Sequence, residues 1–134
     1  MSIEGAIYDV LHDDATVLGI VVAKIYPNNI PQGITVPAIS YHEISGMRDH
    51  VLGSATGLVM SRYQINCWDD DYAGVRTLAN AVRNALDDYA GTKDSTYIQR
   101  ALIDGENDIS EFPADTQLLF RYGKALDFII WFNE

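Results

Sequence analysis

The chain has 134 residues, 48% of them hydrophobic, which suffices for one ordinary domain with a sizeable core and argues against wholesale disorder. Nineteen acidic against nine basic side chains give a net charge of −10, a surface that repels phosphate backbones and anionic lipid heads. Lys24, Lys93, Lys124 and the arginines are nowhere adjacent, so specific nucleic-acid binding is disfavoured, and solubility accounts for the acidity.

The longest apolar stretches, 17–23 and 126–132, fall far short of the roughly 20 residues that span a bilayer. The opening Met1-Ser-Ile-Glu-Gly has neither the basic start nor the apolar run of a secretion signal. Cys67 is the one cysteine, so no internal disulfide forms, as suits a reducing compartment. The chain is expected to be made in a cytoplasm.

In chain order, Ser2 is placed to cap a short helix with Ile3, Ala6, Ile7, Val10 and Leu11 on one face. Asp13-Asp14 ends it, and Asp14 caps a second short turn through Leu18. Residues 20–26 are β-branched enough for a short strand before a turn at Pro27-Asn28-Asn29. Pro31-Gln32-Gly33 and Pro37 mark an irregular connection. Residues 38–45 read as a strand, with Ile39 and Tyr41 on one side and His42 and Ile44 on the other.

The segment 46–57 is too long for a tight turn. It carries Met47, Val51 and Leu52 beside Arg48, Asp49 and His50, more apolar residues than a solvated hairpin tip needs. Either the flanking strands extend into it, or its tip meets another surface.

Residues 58–68 alternate, placing Val59, Tyr63, Ile65 and Cys67 on one side and Arg62, Gln64 and Asn66 between them. Asp69-Asp70-Asp71 stops this strand. A helix over about 70–90 follows, with Val75, Leu78, Ala79, Val82, Leu86 and Tyr89 at helical spacing and Gly91 as its terminating glycine. This strand and helix are expected to form the core. Lys93-Asp94-Ser95 then reads as a turn, 96–103 as a strand, 104–108 as an acidic loop, and Phe112-Pro113 as the close of an irregular piece. The final strand, about 117–132, alternates through Leu118, Phe120, Tyr122, Leu126, Phe128, Ile130 and Phe132, broken at Lys124. At about 3.3 Å per residue it would span about 50 Å, so a bend near Gly123 is expected. Repeats, low-complexity tracts and linkers are absent, which makes 1–134 one domain. The expected fold is α+β: an antiparallel sheet of about four strands with a long C-terminal strand, packed against one main helix and a short N-terminal helix.

The residues that could carry chemistry are not arranged for it. His12, His42 and His50 fall on different elements without metal-pair spacing. Asp69-Asp70-Asp71 is better explained as a helix cap than as a cation site. Asp104, Glu106 and Asp108 alternate like part of a calcium loop but lack its closing glutamate. Cys67 lies on an apolar strand face, where cysteine acts as a small hydrophobe. Phosphate loops, nucleophile elbows and paired cysteines are missing. The expectation is a non-enzyme with no catalytic residue, cofactor or metal.

Several segments together resemble the tail-completion or tail-terminator proteins of long-tailed bacteriophages and prophages. They are Ser2-Ile-Glu-Gly-Ala-Ile-Tyr8, Lys24-Ile-Tyr-Pro27, Ile30-Pro-Gln-Gly33 and Val36-Pro-Ala-Ile-Ser-Tyr41. Ile44-Ser-Gly-Met-Arg-Asp-His50, Tyr63-Gln-Ile-Asn-Cys-Trp68 leading to Tyr72, and Tyr122-Gly-Lys-Ala-Leu-Asp-Phe-Ile-Ile-Trp131 complete the set in order. The resemblance implies a small α+β protein of the virion that assembles as a ring, usually hexameric, on the head-proximal end of the tail tube. There it would stop tube polymerisation and complete the head–tail junction. The implied partners are further copies of the chain, the tail tube protein and the head connector or neck protein. DNA would pass through the lumen without specific binding, and no membrane is involved. Met47, Arg48, Asp49, His50, Val51 and Leu52 then become candidates for an oligomer or tube interface. The rival readings are a neck adaptor bound to the head connector, a small acidic metal-dependent enzyme using the 69–71 or 104–108 carboxylates, and a dimeric ligand-binding domain.

Overall fold

A computed structural model describes residues 3–28, 30, 37–51, 54–109 and 122–133, with side chains described for these except at 49–51 and 54–56. Ser2, Pro31-Gln32-Gly33, Leu52, Phe112-Pro113 and 117–121, each named in a sequence-based expectation, lie outside the described residues. The order of elements is α1 (Ile3–Asp13), α2 (Ala15–Val21), β1 (Ile25–Pro27), β2 (Ala38–Val51), β3 (Ser54–Asp69), α3 (Tyr72–Leu86), β4 (Tyr89–Lys93), β5 (Thr96–Asp108) and β6 (Tyr122–Asn133). The strands form one sheet in the order β1-β2-β3-β6-β5-β4. The expected α+β class holds, with six described strands in place of about four, and β1 joins β2 in parallel rather than antiparallel.

The extra strands trace to local chemistry. α3 stops at Leu86 because Asp87 turns extended (φ −65°, ψ 130°) and Asp88 adopts a positive φ of 64°. The expected helix of about 70–90 is therefore shorter at both ends, and Tyr89 and Gly91 belong to β4 instead of a helix terminus. Asp94 and Ser95, both at positive φ (48° and 61°), make the two-residue turn between Lys93 and Thr96. Two left-handed central residues are what the tightest hairpins require, so β4 folds directly onto β5.

Two caps follow the sequence. Asp71 caps α3, accepting from Gly74 N at 3.2 Å, and Asp14 caps α2, accepting from Thr16 N and Val17 N, each at 3.0 Å. The second short turn is a full helix through Val21, so the short strand after it is only Ile25–Pro27.

Alternation sorts the sheet into two faces. Val59, Tyr63, Ile65 and Cys67 on β3, with Leu126, Phe128, Ile130 and Phe132 on β6, are buried in one cluster with the apolar sides of all three helices. The tyrosines fasten α1 to that face: Tyr63 Oη donates to Glu4 Oε1 at 2.9 Å, and Tyr41 Oη donates to the Glu4 carbonyl at 3.3 Å. Burial, with Glu4 beside it, pushes the Tyr63 phenol well above its usual range.

Gly123 shows why one position on β6 has no side chain. A Cβ there would stand 2.6 Å from the Trp68 ring and 2.9 Å from Ile109 Cγ1. Gly123→Ala is therefore expected to cost about 1–3 kcal/mol through overpacking, read as a lower midpoint in urea denaturation at unchanged slope.

Candidate assembly surface

β2 and β3 make a long hairpin, so the segment 46–57 is chiefly an extension of both strands. The last β3–β6 pair is Leu58 with Asn133. Beyond it the hairpin continues as a two-stranded arm through the pairs His50–Ala55 and Val51–Ser54. At its root, Gly57 takes a φ of 82° and the register slips between Arg48 and His50. Such an irregularity bends and twists a ribbon, and the positive φ explains the glycine.

The six residues singled out in the sequence divide along this arm. Met47 and Arg48 stand opposite Met60 and Val59. Asp49 occupies the register slip, His50 and Val51 form the arm pairs just given, and Leu52 is not described. Met47 is 65% exposed and Ile44, in a second slip between Glu43 and Ser45, is 48% exposed.

Met47 leads onto a larger feature that sequence reasoning missed. On the sheet face away from the helical core, Met47, Met60, Trp131 and Arg100 stand side by side across four strands. The next row is Ser45, Arg62, Ile129 and Leu102, and Leu58, Asn133 and Tyr97 stand on the arm side. None of these apolar residues belongs to the buried core cluster, and Tyr97 and Leu102 are exposed outright. Arg62 reaches Asp104 at 2.7 Å from the same face. Asp127 Oδ1, on the following row between Gln64 and Gly105, is buried without a hydrogen-bond partner. Apolar side chains beside charge, with an unsatisfied acceptor further along the same face, are the features that interaction surfaces share. The missed signal was the unbroken run Phe128-Ile129-Ile130-Trp131-Phe132, because a strand apolar on both sides has two faces to cover.

The lower part of this face is already closed. Trp68 Nε1 approaches Ser40 Oγ at 3.5 Å, Asn66 Nδ2 donates to the same oxygen at 3.3 Å, and Ser40, Asn66 and Ala125 are buried.

The carboxylates serve structure. Asp69 accepts from Asp70 N at 2.7 Å, and burial raises its carboxyl pKa above the ordinary range. Residues 104–108, expected as a loop, are strand: Asp104 pairs with Arg62, and Asp108 accepts from Tyr72 Oη at 3.2 Å and faces Lys124 at 3.8 Å. Among the described residues no group of three or more His, Cys, Asp or Glu side chains is placed to hold a metal ion. Cys67 is fully buried, which pushes its thiol well above the usual range. No described helix is long and apolar enough to cross a membrane.

The fold is shared with a chain in the virion of a native gene transfer agent particle: TM-score 0.80 at 17% identity, covering 99% of this chain and 96% of that one. No curated protein matches the sequence. The family described as tail completion protein gp17 matches over residues 5–118, which takes in both helical caps, the hairpin arm, α3 and β5. The chain belongs to this tail completion protein family, whose members are structural proteins of the virion tail.

Proposed function

We propose that copies of this chain form a ring, six-fold in the simplest case, on the head-proximal end of the tail tube. The ring stops addition of tube subunits and offers the head connector a finished surface. The observation that carries this reading is the apolar row from exposed Met47 through partly buried Met60 and Trp131, continuous with a two-stranded arm, in a tail completion protein. The net charge of −10 fits the same role, since a lumen lined with carboxylates does not retain DNA phosphates during passage.

The test is absolute mass by light scattering over a concentration series, with negative-stain images, for the chain alone and mixed with isolated tail tubes. A ring near six times the 14.9 kDa of one chain, or a cap on tube ends, is expected. Arg48→Glu combined with Asp49→Lys should prevent it, because both residues lie at the root of the arm. A chain that ignores tubes and instead binds capsids bearing a connector would overturn the reading in favour of a neck adaptor.

A further inference from the structure

The two sides of the sheet are covered over only part of their length. β1 pairs with β2 at Ile39, Ser40 and Tyr41, and Asn28 N donates to the Tyr41 carbonyl at 2.7 Å. Among the described residues, no strand flanks the outer side of β2 from His42 to Val51. At the opposite side β4 pairs with β5 between Thr96 and Ala101, and the Asp87 carboxylate accepts from Ile103 N at 3.0 Å. Among the described residues, 104–108 of β5 then run on beside β6 with no other strand. Open strand edges present backbone donors and acceptors that seek partners.

These two edges complement each other in direction and position. The open part of β2 carries His42, Arg48 and His50 with Glu43 and Asp49, whereas that of β5 carries Asp104, Glu106 and Asp108 and no base. Like charges opposed across a ladder are destabilising, so two β5 edges repel each other more strongly than a β5 edge repels β2, where Arg48 offers a partner charge. Every step from β2 through β3 and β6 to β5 is antiparallel, so β2 and β5 run in opposite directions. Two copies set side by side, facing the same way, therefore bring β5 of one antiparallel to β2 of the next.

Position supplies the strongest argument. Glu106, midway along the open part of β5, stands level with Leu126, Ile65 and Tyr41. The middle of the open part of β2 lies at Gly46 and Met47, about five residues further along, or about 16 Å at 3.3 Å per residue. One copy contributes the four strands β2, β3, β6 and β5 to the gap, about 19 Å at the usual strand spacing. A rise of about 16 Å per 19 Å inclines the strands by about 40°, inside the range that closed sheets adopt. The offset between the open edges is thus the stagger that closure into a ring demands. β1 and β4 lie beyond opposite ends of the shared stretch and limit sliding.

Resting on the ring reading above, we propose that neighbouring copies join edge to edge, residues 44–49 of β2 pairing antiparallel with residues 103–108 of β5. The assembly is one continuous, tilted sheet. The contact is heterologous, each copy using different residues on its two sides, which is the type that closes into rings. Centring the two open edges sets Arg48 opposite Asp104 and Ser45 opposite Asn107.

The experiment mixes two single variants, Ser45→Cys and Asn107→Cys, under mild oxidation, in solution and on tail tubes, with Met47→Cys against Asn107→Cys covering a shifted register. All three positions are exposed, so folding is checked simply by melting temperature, and the buried Cys67 stays out of the reaction. Disulfide dimers should dominate in the mixture and be absent from either variant alone, and Ser45→Cys/Asn107→Cys in one chain should give a ladder ending at the ring number. Homodimers from a single variant would overturn the proposal by revealing a two-fold contact. Rings seen by light scattering and microscopy without cross-links in either register would overturn it and leave the ring reading standing. Chains that remain monomeric with and without tubes would remove the ring reading, and the edge contact with it.

Discussion

Met47→Asp should leave the fold almost untouched and weaken assembly onto tails at least tenfold. Met47 is 65% exposed and outside the core cluster, so its replacement is expected to change unfolding free energy by no more than about 0.5 kcal/mol. In the apolar row with Met60 and Trp131, however, a carboxylate would have to lose its water when a neighbour covers the face. An uncompensated buried charge costs several kcal/mol, and about 1.4 kcal/mol already corresponds to a tenfold loss of affinity. Urea denaturation and sedimentation with tail tubes measure the two quantities separately. Tail binding within twofold of the parent chain would show that this row does not take part in assembly.

Phe128→Ala should do the reverse. Phe128 lies three residues along β6 from Trp131, fully buried between Tyr63 of β3 and Ile103 of β5 on the helix-covered face. Truncating a buried phenylalanine costs about 3–5 kcal/mol, from lost apolar burial and the cavity left behind. Against a typical total of about 5–15 kcal/mol, that is enough to leave a substantial unfolded fraction near the melting point of the parent chain. The denaturation midpoint should fall steeply, and any loss of tail binding should track the folded fraction. A shift below about 1 kcal/mol would mean that the helix layer closes over the vacancy.

Where side-chain period governed the outcome, the sequence was legible. The alternation of Tyr63, Ile65 and Cys67 and of Leu126, Phe128, Ile130 and Phe132 placed the buried face of β3 and β6 correctly. The carboxylates Asp14 and Asp71 announced their helix starts. What stayed hidden depends on long-range pairing. β4 looked like the end of a helix because Tyr89 continues the apolar stripe of α3, and only pairing with β5 draws 89–93 into the sheet. Residues 104–108 looked like a loop because aspartate, glycine and asparagine dominate them, yet β6 holds them extended from Gly105 to Asp108. The arm was half legible: its apolar content signalled a surface, but not that Met60, Ile129, Leu102 and Trp131 continue it.

The strand order carries a consequence for how the molecule comes to exist. β6 follows every other described strand in sequence yet lies in the middle of the sheet, between β3 and β5. Until residues 122–133 are in place, the hairpins β2–β3 and β4–β5 have no strand between them, so each can form within microseconds while the sheet cannot close. Closure waits on the most non-local pairing in the chain, which is the slow step for folds of this kind. Ile129 and Trp131 arrive with that same strand. The apolar row proposed to be covered on assembly therefore does not exist on a half-folded copy, so under that proposal an unfinished subunit would be screened out by its own topology.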